Sequence, residues 1–203
     1  MNIMQQAARK ASRRLVRDFG EVENLQVSRK GPGDFVTAAD VRTDDMLRDA
    51  LLQARPTYGF LTEEGEDIVG EDEARRWIID PIDGTTNFMH GIPMFAISIA
   101  LEEMGEVTSA LVYAPISDEM FWAEKGQGAF LNDRRLRVAA RRHMGDTVIG
   151  TGIPHLGRPE NPSYAAEMSA IAGECAGIRR MGSAALDLAY VASRHFLLSQ
   201  RRK

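Results

Sequence analysis

The sequence predicts a layered α/β sandwich, and three observations carry that prediction. Apolar residues recur at helical spacing along the opening segment, and short β-branched and aromatic runs separated by turn residues fill the middle of the chain. Helical and extended stretches alternate on either side of those runs. Composition agrees: 203 residues with 44% hydrophobic and 27% charged side chains exclude the disordered and collagen-like classes. A net charge of −4 gives no electrostatic reason to expect nucleic acid or an acidic membrane as partner, so Arg13-Arg14, Arg141-Arg142 and Arg201-Arg202-Lys203 read as solvated surface.

The chain opens with a helix in which Met4, Ala8, Ala11, Leu15 and Phe19 fall on one face. Residues 1–17 are also rich in arginine and free of acids, as organellar transit peptides are, but the apolar stripe favours the first helix of the domain. With neither a secretory h-region nor a membrane-length apolar run, a cytoplasmic location is expected. Lys30-Gly31-Pro32-Gly33 then forms a loop that runs into a short extended piece. Asp40 reads as the N-cap of a helix over 41–54, with Met46, Leu47, Ala50 and Leu51 as its stripe. A capping aspartate sits at the edge of a site, so capping and catalysis are compatible. Residues 58–62 read as a strand ended by Glu63-Glu64-Gly65. Side chains alternate along a strand, so one of the two carboxylates faces inward and is a candidate ligand. The polar stretch 69–76 reads as a connecting helix or loop before a strand over 77–80.

That strand delivers Asp80-Pro81-Ile82-Asp83-Gly84-Thr85-Thr86-Asn87-Phe88. Ionised Asp80 and Asp83 repel one another in so short a span, and a hard divalent cation with oxygen ligands holds both charged. Pro81 fixes the bend, which lets the Ile82 carbonyl point the same way. Gly84 lets the backbone approach a ligand, and if Thr85 opens a helical turn, the amides of Gly84 and Thr85 face outward as an anion site. The bland alternative is a surface turn built from the usual turn residues. The Thr85-Thr86 pair and the apolar run before it favour a site.

Residues 96–101, 107–113, 119–123 and 128–131 make an antiparallel meander by length and turn chemistry, and Asn132-Asp133-Arg134-Arg135 turns the chain again. A strand over 148–151, a helix over 163–172 and a second helix over 182–192 follow, the last preceded by Arg179-Arg180. Cys175 is the single cysteine, which rules out an intramolecular disulfide; with no histidine nearby it reads as packing. His90, His143, His155 and His195 lack the spacing of a zinc site. The lone G-x-G pairs lack a third glycine, and neither a P-loop nor a G-x-S-x-G elbow is present.

With Glu63-Glu64, the run from Asp80 to Phe88, and Gly182-Ser183-Ala184-Ala185-Leu186-Asp187 in hand, the chain resembles the inositol monophosphatase family from its first helix to about Ala192. The resemblance sharpens the fold to an αβαβα sandwich of the sugar-phosphatase type with incomplete C-terminal layers. It implies Mg²⁺ as cofactor, with Glu63, Asp80, the Ile82 carbonyl and Asp83 as ligands and Glu64 behind them. Thr85, assisted by Asp40, would orient and deprotonate the attacking water. Ile82, Asp83, Gly84 and Thr85 would hold the phosphate, while Arg179, Gly182, Ser183 and Ala184 would line the alcohol side; Lys30 resembles the lysine of the family's mobile loop. Activity on inositol monophosphates, lithium sensitivity and a homodimer are implied likewise. The helix Gly182-Ser183-Ala184-Ala185-Leu186-Asp187-Leu188-Ala189-Tyr190 looks most like bacterial inositol monophosphatases.

Sister enzymes with the same metal motif act on fructose 1,6-bisphosphate, 3′-phosphoadenosine 5′-phosphate or histidinol phosphate. Some bacterial relatives bind the transcription machinery, so an interaction protein is the alternative of another class. Residues 1–192 are expected to form an inositol monophosphatase-like domain, incomplete at its C-terminal part, with 193–203 a divergent tail produced by a frameshift or premature stop. The family continues there with a Trp-Asp pair that completes its second metal site, so low phosphatase activity is expected of this chain.

Overall fold

Helix α1 (Asn2–Gly20) buries Met4, Ala7, Ala8, Ala11 and Leu15, and Phe19 packs against the same core. This is the stripe expected from the sequence, widened by Ala7. The structure is a computed structural model that describes residues 1–21, 27–31, 34–139, 142–153, 163–193 and 197–198. Side chains are described outside 27–36 and 197–198.

Strands β1 (Val27–Gly31) and β2 (Asp34–Thr37) pair antiparallel; of the expected loop, Lys30 and Gly31 belong to β1, and Pro32 and Gly33 lie outside the described residues. Helix α2 (Ala38–Ala54) follows directly, and here the expected cap is corrected. Thr37, not Asp40, is the N-cap: its backbone is extended at φ −106 and ψ 163, and its hydroxyl accepts from the amides of Ala39 and Asp40. Asp40 lies in the first helical turn, where Oδ2 reaches back to the Thr37 amide at 2.8 Å and completes a capping box. A carboxylate there also meets the positive end of the helix dipole. Leu47 and Leu51 are buried, and Met46 and Ala50 pack against the core, so the expected stripe holds.

The main sheet has seven strands in the order β3-β4-β5-β6-β7-β8-β9. These are β3 (Tyr58–Thr62), β4 (Asp72–Asp83), β5 (Ala96–Glu103), β6 (Glu106–Ala114), β7 (Glu119–Glu124), β8 (Gly128–Leu131) and β9 (Arg134–Arg135), with the five-residue helix α3 (Thr85–Met89) after β4. β3 and β4 are parallel and every later pair is antiparallel, which is the expected meander.

A second correction concerns β4, which starts at Asp72, inside the stretch expected to be a helix or loop. Its polarity misled. Arg75 pairs with Glu103 at 2.7 Å and Arg76 with Glu102 at 2.9 Å, both across the β4/β5 register. The strand is polar there because its half-exposed end is stitched by ion pairs and not by a core. At the other end, Pro81 cannot donate to the ladder, and the register shifts between Asp80 and Asp83.

Strand alternation sorts the sheet into two faces. Trp77, Ile79, Ile97, Ile99, Leu111 and Tyr113 meet α1 and α2 on one side. Ala96, Ala114 and Phe121 meet Leu186 and Ala189 of α5 (Ala184–Ala192) on the other. Beyond lie α4 (Tyr164–Ala172) and a small parallel sheet, ordered β11-β10-β12, of β10 (Val148–Gly150), β11 (Gly177–Arg179) and β12 (Leu197–Leu198). β11 and β12 carried no readable sequence signal, being only three and two residues long. β12 falls within the stretch expected to be a divergent tail. Among the described residues no helix is long and apolar enough to cross a membrane.

Candidate active site

The site begins where β3 ends beside its parallel neighbour β4, which runs on to Asp83. Thr62 of β3 is in register with Ile79 of β4, and the Glu63 amide donates to the Ile79 carbonyl at 3.3 Å. Glu63 therefore emerges from the end of β3 beside Asp80, which is still paired with Ser98 of β5. The Asp80 carboxyl is pushed up to about 8 from an ordinary 3.8, first by burial, then by the charges of Glu63 and Asp83 and by a hydrogen bond with Glu63. The Ile82 amide donates to Asp80 Oδ1 at 3.1 Å, which folds the bulged strand end over the carboxylate. Glu63 is exposed and Glu64 half-buried, as alternation at a strand end requires.

The start of α2 brings in Asp40, which is 1% exposed. Its Oδ2 is held by the Thr37 hydroxyl at 2.5 Å and the Thr37 amide, so Oδ1 is the oxygen turned to the site. Thr85, the first residue of α3, donates from Oγ1, which lies 3.1 Å from Asp40 Oδ1 and 3.0 Å from the Ile82 carbonyl. Burial raises the Asp40 carboxyl while the Thr37 and Thr85 hydrogen bonds lower it, and the net direction is upward. Gly84 is the N-cap of α3 at φ +106, a conformation that favours glycine.

The N-terminus of α5 closes the opposite side. Asp83 Oδ2 accepts from Ser183 Oγ at 2.5 Å and from the Ala185 amide at 2.6 Å. Asp187, one turn later, is 7% exposed, and its buried Oδ1 has no hydrogen-bond partner among the described residues. Its carboxyl is pushed up to about 6 by burial and by Asp83, against the pull of Arg180.

The sequence-predicted residues gather unevenly. Glu63, Asp80, Ile82, Asp83, Thr85 and Asp40 meet at one strand edge, and Gly182, Ser183 and Ala184 approach it from α5. Arg179 does not turn to this group; its guanidinium donates to its neighbour's carbonyl at Ile178, 2.9 Å away. The side chain of Lys30, on β1, lies outside the described residues. Asp187, Asn87 and Thr37 went unassigned. Their signals were a carboxylate inside an apolar helix, an asparagine hidden among turn formers, and a threonine three residues before an aspartate.

The donor chemistry suits a hard cation: carboxylate oxygens and a carbonyl, with Asp80 pushed upward by burial and by the charges of Glu63 and Asp83. Among the described residues, no three His, Cys, Asp or Glu side chains close into a cage on their own.

A sequence profile described as "Inositol monophosphatase family" matches residues 1–198. Inositol-1-monophosphatase of Rhizobium meliloti is 61% identical over 196 residues, which are 97% of this chain and 74% of that protein. Nus factor SuhB of Escherichia coli K12 is 40% identical over 193 residues, 95% of this chain and 72% of the relative. The crystal structure of extragenic suppressor protein suhB from Bartonella henselae superposes with a TM-score of 0.94 at 57% identity, covering 97% of this chain and 75% of that one.

Proposed function

The chain belongs to the inositol monophosphatase family, and from that premise we propose that it hydrolyses phosphomonoesters, inositol monophosphates foremost, with Mg²⁺ held by Glu63, Asp80, the Ile82 carbonyl and Asp83. One observation carries the reading: burial, and then the charges of Glu63 and Asp83, push the Asp80 carboxyl up to about 8. Such an arrangement is costly on its own and is relieved by a divalent cation. All of these residues lie within the matched span 1–198.

Mg²⁺ supplies a lowered water pKa and neutralises charge on the phosphoryl and leaving oxygens. Thr85 Oγ1 is placed to accept a proton from the attacking water while passing its own to Asp40 Oδ1, 3.1 Å away. Thr37 fixes the other oxygen of Asp40, so the acceptor does not rotate away. The amides of Gly84 and Thr85 would serve as donors for the phosphate. Ser183 and Ala184, at the start of α5, face the alcohol side of the ester. No protein nucleophile is required. Inhibition by Li⁺ and assembly as a homodimer belong to the same reading.

Phosphate release from inositol 1-phosphate by the purified chain, with and without Mg²⁺ and beside Asp80→Asn, tests it. Release that requires Mg²⁺ and is lost in the variant is the expected result. A folded wild-type protein that releases nothing at any Mg²⁺ concentration refutes the enzyme reading. The 40% identity to Nus factor SuhB favours a second reading, binding to the transcription machinery. Capture of RNA polymerase by wild type and Asp80→Asn alike would support it.

A further inference from the structure

Asn87 has no part in the chemistry above, yet it is 4% exposed and its amide nitrogen donates twice. Nδ2 lies 2.6 Å from the Met94 carbonyl and 2.7 Å from the Met181 carbonyl. The first belongs to the segment that enters β5, the second to the loop that delivers α5. Two hydrogens on one nitrogen serve two carbonyls from segments far apart in sequence. The adjoining Gly182 has φ +89, and a Cβ there would fall 2.5 Å from Asn87 Nδ2. The loop thus lies directly against the asparagine, with no room for a side chain between them.

What this loop presents is the start of α5. Ser183 Oγ accepts the Leu186 amide at 3.3 Å as an N-cap, which leaves its single hydrogen for Asp83. The Ala185 amide points at the same oxygen, Oδ2. Asp83 is therefore oriented from α5 and not from its own strand. Leu186 and Ala189 pack α5 on the sheet, and the Asn87 amide ties the loop just before its N-terminus to the motif loop.

We propose that Asn87 is a positioning residue for Asp83: by fixing the Met181 carbonyl it sets the N-terminus of α5, whose Ser183 hydroxyl and Ala185 amide hold Oδ2 and leave Oδ1 for the cation. The inference rests on the reading of Asp83 as a Mg²⁺ ligand. Groups that orient a metal ligand commonly change affinity about tenfold to a hundredfold when removed.

The test measures equilibrium Mg²⁺ binding by calorimetry on the purified full chain, together with thermal melting and the Mg²⁺ dependence of phosphate release. Asn87→Asp keeps the shape but sets a carboxylate against two carbonyls, and Asn87→Ala removes both donors. Each should weaken Mg²⁺ binding about tenfold or more. Ser183→Ala should do the same, while Ser183→Thr, which keeps the hydroxyl, should stay within about twofold of wild type. Folded Asn87 variants with wild-type Mg²⁺ affinity overturn the proposal. Should the Asn87 variants fail to fold, the Ser183 pair decides, and equal affinity in Ser183→Ala and Ser183→Thr overturns it. A wild-type chain that binds no Mg²⁺ overturns both this inference and the functional reading; one that binds, with unchanged variants, overturns this inference alone.

Discussion

Thr85 Oγ1 lies 3.1 Å from Oδ1 of Asp40, joining the first turns of two helices that are 45 residues apart in sequence. The same oxygen is 3.0 Å from the Ile82 carbonyl, and a hydroxyl has one hydrogen to give. When the hydrogen goes to Asp40, the lone pairs of Thr85 are free to accept from water. Asp40→Asn keeps the shape but loses the proton acceptor, so kcat should fall about 10²- to 10⁴-fold with little change in KM. The loss of the capping-box carboxylate should cost about 1 kcal/mol of stability as well. Phosphate release and urea denaturation measure the two effects, and an Asp40→Asn enzyme within threefold of wild-type kcat would remove Asp40 from the mechanism.

The Asp80 carboxyl sets a pH dependence with a definite sign. Its pKa is raised on folding from 3.8 to about 8, by burial first and then by Glu63 and Asp83. A carboxyl raised in this way favours the metal-free fold while protonated: the contribution is complete below about pH 4 and lost as pH climbs towards 8. Cation binding requires that proton to leave, so Mg²⁺ affinity rises over the same window. Melting curves should show the metal-free chain less stable at about pH 8 than at about pH 5.5. They should also show a larger stabilisation by Mg²⁺ at the higher pH. Equal Mg²⁺ increments at both would contradict this origin of the shift.

Much of this was legible because the signals were local. The stripe of Met4, Ala8, Ala11 and Leu15 marks α1, the spacing of turn residues marks the meander, and two aspartates around a proline mark the candidate site. What was illegible depends on pairing across the fold. Asp72 to Arg76 read as polar linker because their partners, Glu102 and Glu103, lie on the neighbouring strand. Thr37 lost the cap to Asp40 in the reading because a capping box offers two plausible caps, and only backbone geometry separates them. Asn87 looked like turn chemistry, since its two carbonyl partners lie 7 and 94 residues away.

The motif loop is anchored from behind by aromatic packing. Phe88, wholly buried in α3, stands edge-on to Phe95 with ring centroids 5.1 Å apart and lies 5.8 Å from Phe19 of α1. Phe88→Ala empties the space between Phe19 and Phe95 and should destabilise the chain by about 3–5 kcal/mol. A large fall in the urea midpoint is the expected readout. A change below about 1 kcal/mol would mean that the loop is held by its hydrogen bonds and not by this cluster.

Two glycines at positive φ separate strain from function. Gly84 has φ +106, and a Cβ there would sit 3.0 Å from the Met94 carbonyl and 3.3 Å from Phe95. Gly91 has φ +67, but a Cβ there would meet nothing within 4 Å. Both Gly→Ala variants should lose about 1–2 kcal/mol from the left-handed backbone alone. Only Gly84→Ala must also push the Met94 carbonyl, which accepts from Asn87, and so move the loop that carries Asp83 and Thr85. Gly84→Ala should therefore lose most of its kcat at saturating Mg²⁺, while Gly91→Ala keeps it. Similar activity in two variants of similar stability would show that the close approach at Gly84 has no part in shaping the site.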